Sequence, residues 1–322
     1  MIYEFIETHE EYSVAKWASY FRISRGGYYE YLNRRKERQK KRDADKAKIK
    51  EIFDKSHGTY GVERICGILR KSGEKASYKR IRKLMKEMGL ESVHNMHKTR
   101  SLTDSRKARG TGFSNLVRGK TYIKPLTAVC SDITYLKCEE GWLYYCMVKD
   151  IVSGMILGTA TSPRMTKELV IKAFLNAQGR YGLAKGTIFH SDRGSQYTSK
   201  EFMDLLRRYG IRQSFSRIGR PGDNAWAESF FATLKKECIH FKQFQTREEL
   251  TAAVFGWTEG FYNTGRVQAR LGYVSPNTYY ATLEKRIEKT FEKQKENNDY
   301  WINGNVNGFI KATLLTNCPE KC

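Results

Sequence analysis

Residues 127–162, TAVCSDITYLKCEEGWLYYCMVKDIVSGMILGTATS, decide the fold of this chain. Runs rich in Val, Ile, Tyr and Thr are separated there by the turn residues Glu140-Gly141 and Ser153-Gly154, a pattern typical of consecutive β-strands. The stretch therefore predicts a three-stranded meander with strands at 128–136, 142–152 and 155–161.

The chain after this meander alternates between helical and strand patterns. The predicted elements are a helix, a strand, a helix, a strand and a helix, at 166–181, 187–190, 199–209, 211–215 and from about Asp223 onward. Three hairpin strands followed by such an alternation describe an α/β fold in which a mixed five-stranded sheet is flanked by helices.

The residues before the meander carry helical patterns. Residues 12–32 predict a small helical hairpin, and residues 33–50, dense in Lys and Arg, predict an exposed helix. Apolar residues then recur at helical spacing on both sides of Gly73, which can end one helix, and Ser77, which can cap the next. The predicted second helix is basic, with Lys79, Arg80, Arg82, Lys83 and Lys86. We favour a small all-α helix-turn-helix that contacts DNA over an ordinary solvated surface helix.

Changes in composition predict the domain boundaries. Between residues 98 and 125 apolar periodicity stops while Ser, Thr, Gly, Lys and Arg accumulate, which indicates a basic linker. The predicted units are a helical region, a helix-turn-helix-like unit, the linker, the α/β core and a tail of unassigned role, at 1–50, 51–97, 98–125, 126–284 and 285–322.

The charge of the chain favours a polyanionic partner. Its 58 Lys and Arg exceed its 35 Asp and Glu by 23, and residues 1–124 alone hold 31 basic against 15 acidic side chains. Such an excess attracts nucleic acid, although a basic face can also be merely solvated. No apolar run approaches the roughly 20 residues needed to cross a bilayer. We therefore expect a cytoplasmic protein without a membrane partner.

Cysteine and histidine patterns do not favour a zinc site. The seven cysteines are spread along the chain without a Cys-x-x-Cys pair, so reduced thiols are expected. His94 and His97 could form half of a zinc site, but no paired cysteines follow at a usable spacing. We interpret them as two exposed linker histidines.

Three acidic residues stand among apolar strand or helix residues. Asp132 lies inside the first predicted strand, where a buried carboxylate would need a partner. Asp192 follows the strand at 187–190, a place where ligands collect, although it could equally cap a turn. Glu228 lies opposite an apolar helix stripe, and Lys235 follows it on nearly the same face, where it could hold a DNA phosphate. Taken singly, each acid would more often be structural than catalytic.

Together these acids match a known pattern. The segments SDITY (131–135), HSDRGSQY (190–197) and DNAWAESFF (223–231) closely resemble those of the DDE transposases related to retroviral integrases, and 35 residues separate Asp192 from Glu228. More narrowly, the chain resembles the second-frame (OrfB-type) product of a bacterial insertion sequence, from about Phe21 to Tyr280.

The resemblance implies a ribonuclease-H-like core in which Asp132, Asp192 and Glu228 bind two Mg²⁺ or Mn²⁺ ions. The expected reaction cleaves one DNA strand at an element end and joins its 3′-OH to another phosphodiester. The family's basic residue after the glutamate corresponds to Lys235, and Arg193 and Arg220 are further candidates for DNA contact. The implied partners are element ends, target DNA, further copies of the chain on DNA and a first-frame fusion partner that carries a leucine zipper.

The chain departs from the family pattern at two positions outside the three acids. Gly154 stands where the family commonly has Arg, and Gln268 stands where it often has His. Activity is still expected, with altered folding or DNA contact. Two alternatives remain: a non-enzymatic DNA-binding regulator or inactive relic, and a simple nuclease of the same fold that cuts DNA without joining it.

Overall fold

A computed structural model describes residues 2–96, 114–217 and 220–304. In these residues five strands form one mixed sheet in the order β3-β2-β1-β4-β5, with bounds β1 Ala128–Cys138, β2 Gly141–Asp150, β3 Ile156–Ser162, β4 Ile188–Ser191 and β5 Arg212–Phe215. The first three strands are antiparallel, whereas β4 runs parallel to both β1 and β5. The predicted α/β fold, with its meander and its mixed sheet, is confirmed.

The N-terminal region is helical, with α1 Ile2–Thr8, α2 Val14–Tyr20, α3 Arg25–Lys55, α4 Val62–Lys71, α5 Tyr78–Glu87 and α6 Val93–Met96. The helices α4 and α5 are the predicted pair. Ser77 caps α5 by accepting the N–H of Arg80, and Gly73 follows α4 with a φ of +84°, which glycine adopts without steric cost.

The helix α3 is longer than predicted. It runs for 31 residues, from the second half of the predicted hairpin through the boundary expected at residue 50. Its Lys, Arg, Gln and Ala residues favour helix, and no Pro interrupts them. Only Tyr28 and Ile49 of this helix are buried among the described side chains, so its middle is exposed and basic.

Helices cover both faces of the sheet. On one face pack α7 (Lys167–Tyr181) and α8 (Lys200–Arg208), and on the other pack α9 (Ala225–Leu234) and α10 (Arg247–Phe255). Side chains of β1 alternate between these two cores, because successive residues of a strand point to opposite faces. Ala128 and Cys130 join the core of α9, whereas Val129 joins that of α7. Asp132 has the same parity as Cys130 and therefore faces the α9 side.

Two segments differ from their predicted roles. Residues 114–125 belong to the predicted linker, yet Val117 is buried in the core and the Leu116 N–H donates to Ser214 Oγ at 2.8 Å. After α10 the chain forms a π-helical segment (Gly256–Tyr262), a 3₁₀ turn (Ala269–Leu271) and α11 (Pro276–Gly304), which crosses the boundary predicted at 284. None of the described helices has the length and apolarity to cross a membrane.

Candidate functional site

Asp132 and Asp192 belong to neighbouring parallel strands. The register pairs Cys130 with His190, so continuing both strands by two residues brings Asp132 beside Asp192, just past the end of β4. Asp132 is half-buried and Asp192 is exposed, and Asp192 Oδ1 accepts the N–H of Gly194 at 3.0 Å. Both carboxylates thus lie at the carboxyl-terminal end of β4, and ligands usually collect at such strand ends.

The helix α9 is anchored on this part of the sheet by two side chains. Asn224 Nδ2 donates to the carbonyl of Ser131 at 3.2 Å, and Lys149 Nζ donates to the carbonyl of Trp226 at 2.8 Å. Glu228 follows one turn later and is exposed, whereas the buried side chains of α9 are Ala227, Phe230, Phe231 and Leu234. The helix therefore presents Glu228 on the side of the sheet that Asp132 faces.

The charges of Asp192 and Glu228 act on Asp132. Burial raises the pKa of Asp132 to about 7, the charge of Asp192 adds to this increase, and the charge of Glu228 adds a smaller contribution. The N–H of Ile133 and the charge of Lys235 act in the opposite direction. Negative charges therefore repel one another at Asp132, and a cation would relieve that repulsion.

These carboxylates do not form a closed ligand cage. Across residues 2–96, 114–217 and 220–304, no three His, Cys, Asp or Glu side chains are arranged so that they could already hold a metal ion. The donor set nevertheless fits Mg²⁺ or Mn²⁺, since hard cations select carboxylate oxygens. Asp192 and Glu228 face solvent, so their side chains have room to reorient.

Lys235 lies near Asp132. It begins a π-helical turn, Lys235–Ile239, directly after α9, and its Nζ lies 5.0 Å from the centre of the Tyr135 ring. Burial lowers the pKa of Lys235, whereas the charge of Asp132 raises it. This ammonium is therefore within electrostatic range of Asp132.

The other residues predicted to contact DNA lie in two separate parts of the structure. Arg193 is half-buried and donates from Nε to the carbonyl of Ser216 at 2.9 Å, and Arg220 is exposed. The basic side chains of α5 belong instead to the surface of the N-terminal region, and they are Lys79, Arg80, Arg82, Lys83 and Lys86. Arg80 pairs with Asp45 of α3, so it is less free than its neighbours to meet a phosphate.

His190 is a positioning residue that sequence reasoning did not single out. It is buried, its Nε2–H donates to the carbonyl of Asp223 at 3.0 Å, and its Nδ1 accepts from Ser214 Oγ at 2.9 Å. Burial lowers the pKa of His190 to about 4, so the ring is neutral at pH 7. It fixes the turn that precedes α9. Its position two residues before Asp192, in HSDRGSQY, was the available signal.

His94 is not an exposed linker residue, so that interpretation was wrong for it. It lies in α6, is half-buried and donates from Nε2 to Glu237 Oε1 at 2.6 Å. The same carboxylate accepts hydrogen bonds from Arg266, from Nε at 2.8 Å and from Nη2 at 2.7 Å. This buried cluster joins the N-terminal region to the core. His97 lies outside the described residues.

The two departures from the family pattern meet at one side chain. Arg270 Nη2 occupies the space beside Gly154 that a Cβ would need. Arg270 also donates from Nε to Gln268 Oε1 and from Nη1 to the carbonyl of Val152, both at 3.2 Å. Gly154 therefore leaves space for the guanidinium of Arg270, and Gln268 accepts a hydrogen bond from it.

Family models match three parts of the chain. An integrase core domain matches residues 124–221, a second integrase core domain matches residues 228–282, and an HTH-like domain matches residues 40–98. The chain is 37% identical over 250 residues to the transposase for insertion sequence element IS904 of Lactococcus lactis, covering 77% of this chain and 98% of that protein. It is 35% identical over 286 residues to transposase InsF for insertion sequence IS3A of Escherichia coli, covering 87% and 98%.

The solved structures that align with the chain include viral integrases. A chain of the simian T-cell lymphotropic virus intasome in complex with PP2A regulatory subunit B56 gamma aligns with a TM-score of 0.43 and 16% identity, covering 67% of this chain and 70% of that one. The HTLV-2 integrase catalytic core domain in complex with magnesium aligns with a TM-score of 0.38 and 19% identity, covering 49% and 98%.

Proposed function

The chain belongs to the insertion-sequence transposases that carry an integrase core domain, and from this premise we propose that Asp132, Asp192 and Glu228 form its metal-dependent catalytic centre. The reaction is the cleavage of DNA at the ends of the element, followed by joining of the new 3′-OH to target DNA. Two observations support the proposal: the register of β1 and β4 brings Asp132 beside Asp192, and the charges of Asp192 and Glu228 add to the effect of burial in raising the pKa of Asp132.

Asp132, Asp192 and Glu228 would hold two Mg²⁺ or Mn²⁺ ions. When bound, the ions activate the attacking oxygen and stabilise the leaving oxygen of the phosphodiester. The chain's own residues then have distinct tasks. Asp132 is positioned by its strand, Glu228 is positioned by the anchors of α9 at Ser131 and Trp226, and Lys235 holds a DNA phosphate near the carboxylates.

We propose that DNA is the partner in both steps: the element end is cleaved, and the target DNA is joined to the new 3′-OH. The HTH-like match and the exposed basic side chains of α5 support DNA binding by the N-terminal region. We further propose that several copies assemble on paired DNA ends, because joining requires two ends and a target to be held together. A first-frame fusion partner would add recognition of the terminal repeats.

The test separates binding from chemistry. The substrate is DNA that carries both ends of the element encoding this chain, with a plasmid target and Mg²⁺ or Mn²⁺. Asp192→Asn should abolish both cleavage and joining while leaving DNA affinity nearly intact, because it removes a metal ligand without removing a basic side chain. Asp204→Asn is the matched control, since Asp204 lies on α8, across the sheet from α9.

Three outcomes would count against the proposal or correct it. Activity of Asp192→Asn equal to that of the unmodified chain contradicts the assigned role. Cleavage by the unmodified chain without joining identifies a nuclease of the same fold. Binding without any metal-dependent cleavage identifies a regulator or relic.

A further inference from the structure

A cavity of about 510 Å³ lies between the N-terminal region and the core. Its walls include Thr59 and Arg64 near the start of α4, Ser229 and Thr233 on the side of α9, and Gln268 and Arg270 after the π-helical segment. This volume falls within the roughly 300–1,000 Å³ typical of small-molecule sites. One of the lining residues is Ser229, which directly follows Glu228.

Two buried polar atoms of this cavity have no hydrogen-bond partner among the residues that the structure describes. They are Thr59 Oγ1, on a side chain that is 2% exposed, and Gln268 Nε2. Buried polar groups in native proteins are nearly always paired, because an unpaired one costs about 1–3 kcal/mol. Both atoms belong to residues that line the cavity, and a polar molecule bound there would be a source of the partners that they lack.

The charge of the walls indicates an anion, because four basic side chains line the cavity against the single carboxylate of Glu63: Arg64, Lys149, Arg266 and Arg270. Burial lowers the pKa of Arg64, and the nearby charge of Arg266 lowers it further, so these two cations repel each other. Glu237 already neutralises Arg266. In the described part of the chain the hydrogen bonds of Arg64 and Arg270 go to the neutral oxygens of Thr59, Val152 and Gln268, not to carboxylates. Their guanidinium groups therefore remain available to a phosphate.

An aromatic surface completes the site. Trp226 is half-buried, lines the cavity and belongs to the same helix as Glu228. Unpaired bases stack on such rings, with about 1–3 kcal/mol per base. We propose that the cavity binds one unpaired nucleotide of a DNA strand, its phosphate held by Arg64 and Arg270 and its base against Trp226. This inference rests on the proposed function, because it places the nucleotide next to the DNA strand that the catalytic centre with Glu228 would cleave.

The first test removes the two cations. Binding of a short fluorescent single-stranded oligodeoxynucleotide is measured by anisotropy in EDTA, so that no result depends on metal or catalysis. Arg64→Gln with Arg270→Gln should weaken binding about tenfold and reduce the salt dependence by about 0.7 log units for each phosphate that is no longer neutralised. The matched control is Lys185→Gln with Arg208→Gln, which removes two exposed cations elsewhere in the core. An equal loss in both pairs overturns the proposal.

The second test fills the cavity without changing its charge. Thr233→Trp places a large side chain in it and should weaken oligonucleotide binding to the same extent. Thr251→Trp is the control, since Thr251 is also half-buried and lines a different cavity of about 480 Å³. Unchanged binding by a folded Thr233→Trp variant, judged by its circular dichroism, overturns the proposal even if the arginine variants fail to fold.

The third test separates the sources of phosphate. Thymidine monophosphate should displace the oligonucleotide from the unmodified chain more effectively than inorganic phosphate at equal ionic strength, because it supplies a base as well as an anion. Equal displacement by both, or by neither, contradicts a nucleotide site. Because oligonucleotide binding is measured in EDTA, independently of metal and catalysis, a failure of the catalytic proposal leaves this result interpretable.

Discussion

Replacing Arg266 by Met should destabilise the protein far more than the loss of any surface ion pair. The side chains of Arg266 and Glu237 are 5% and 0% exposed, and Arg266 donates to both oxygens of Glu237. Without Arg266 the carboxylate would stay buried with only His94 as a hydrogen-bond donor among the described residues. Removing one partner of a buried pair costs about 3–5 kcal/mol, which is roughly a hundredfold to several thousandfold in the unfolding equilibrium.

Urea denaturation followed by tryptophan fluorescence measures this effect. The matched surface pair is Lys167 with Glu201, whose side chains are 38% and 57% exposed, so Glu201→Gln should cost less than about 1 kcal/mol. The double variant Arg266→Met with Glu237→Leu should recover most of the lost stability, because it removes the uncompensated charge as well as its partner. If Arg266→Met costs no more than Glu201→Gln, the reasoning about this cluster is refuted.

The pH dependence supplies an independent check. Burial acts to raise the pKa of Glu237, but hydrogen bonds from His94 and Arg266 and the charge of Arg266 outweigh it, so the folded pKa lies below the ordinary value. A depressed carboxylate pKa stabilises the fold at pH values above the unfolded pKa of about 4.3, and this stabilisation is lost as the pH falls through the folded pKa. The destabilisation by Glu237→Gln should therefore shrink below about pH 4, and a constant difference would contradict this assignment.

Three more variants probe the site and the sheet. Lys235→Ala should weaken strand transfer more than Mn²⁺ binding measured by calorimetry, and unchanged strand transfer at elevated salt would count against its phosphate contact. Lys83→Gln with Lys86→Gln should lower the slope of log affinity for duplex DNA against log salt by about 0.9 for each phosphate left without its cation, and an unchanged slope would argue against DNA contact by α5. Gly158→Ala should cost about 1–3 kcal/mol in urea denaturation, because its Cβ would overlap backbone atoms of α7, whereas Gly179→Ala, which meets open space, should cost nothing.

Local patterns were sufficient for most of the fold. Alternating β-formers with turn pairs predicted β1 to β3, and the capping role of Ser77 was predicted correctly, because strand alternation and helix capping depend on residues close in sequence. The three acids were identified from their sequence surroundings and spacing, and their catalytic role remains a prediction. The continuity of α3 was missed because a basic, weakly apolar helix gives no clear periodicity.

The sequence by itself determined strands β1 to β3, the helix pair around Gly73 and Ser77, the mixed five-stranded character of the sheet and the family pattern around Asp132, Asp192 and Glu228. Only the tertiary structure decided which distant side chains meet: His94 with Glu237 across 143 residues, and Arg270 in the space beside Gly154. The physical reason is that a buried charge must find its partner wherever the packing of separate units brings one, and no local spacing encodes that choice. The cavity beside α9 arises in the same way, from how the N-terminal region packs on the core.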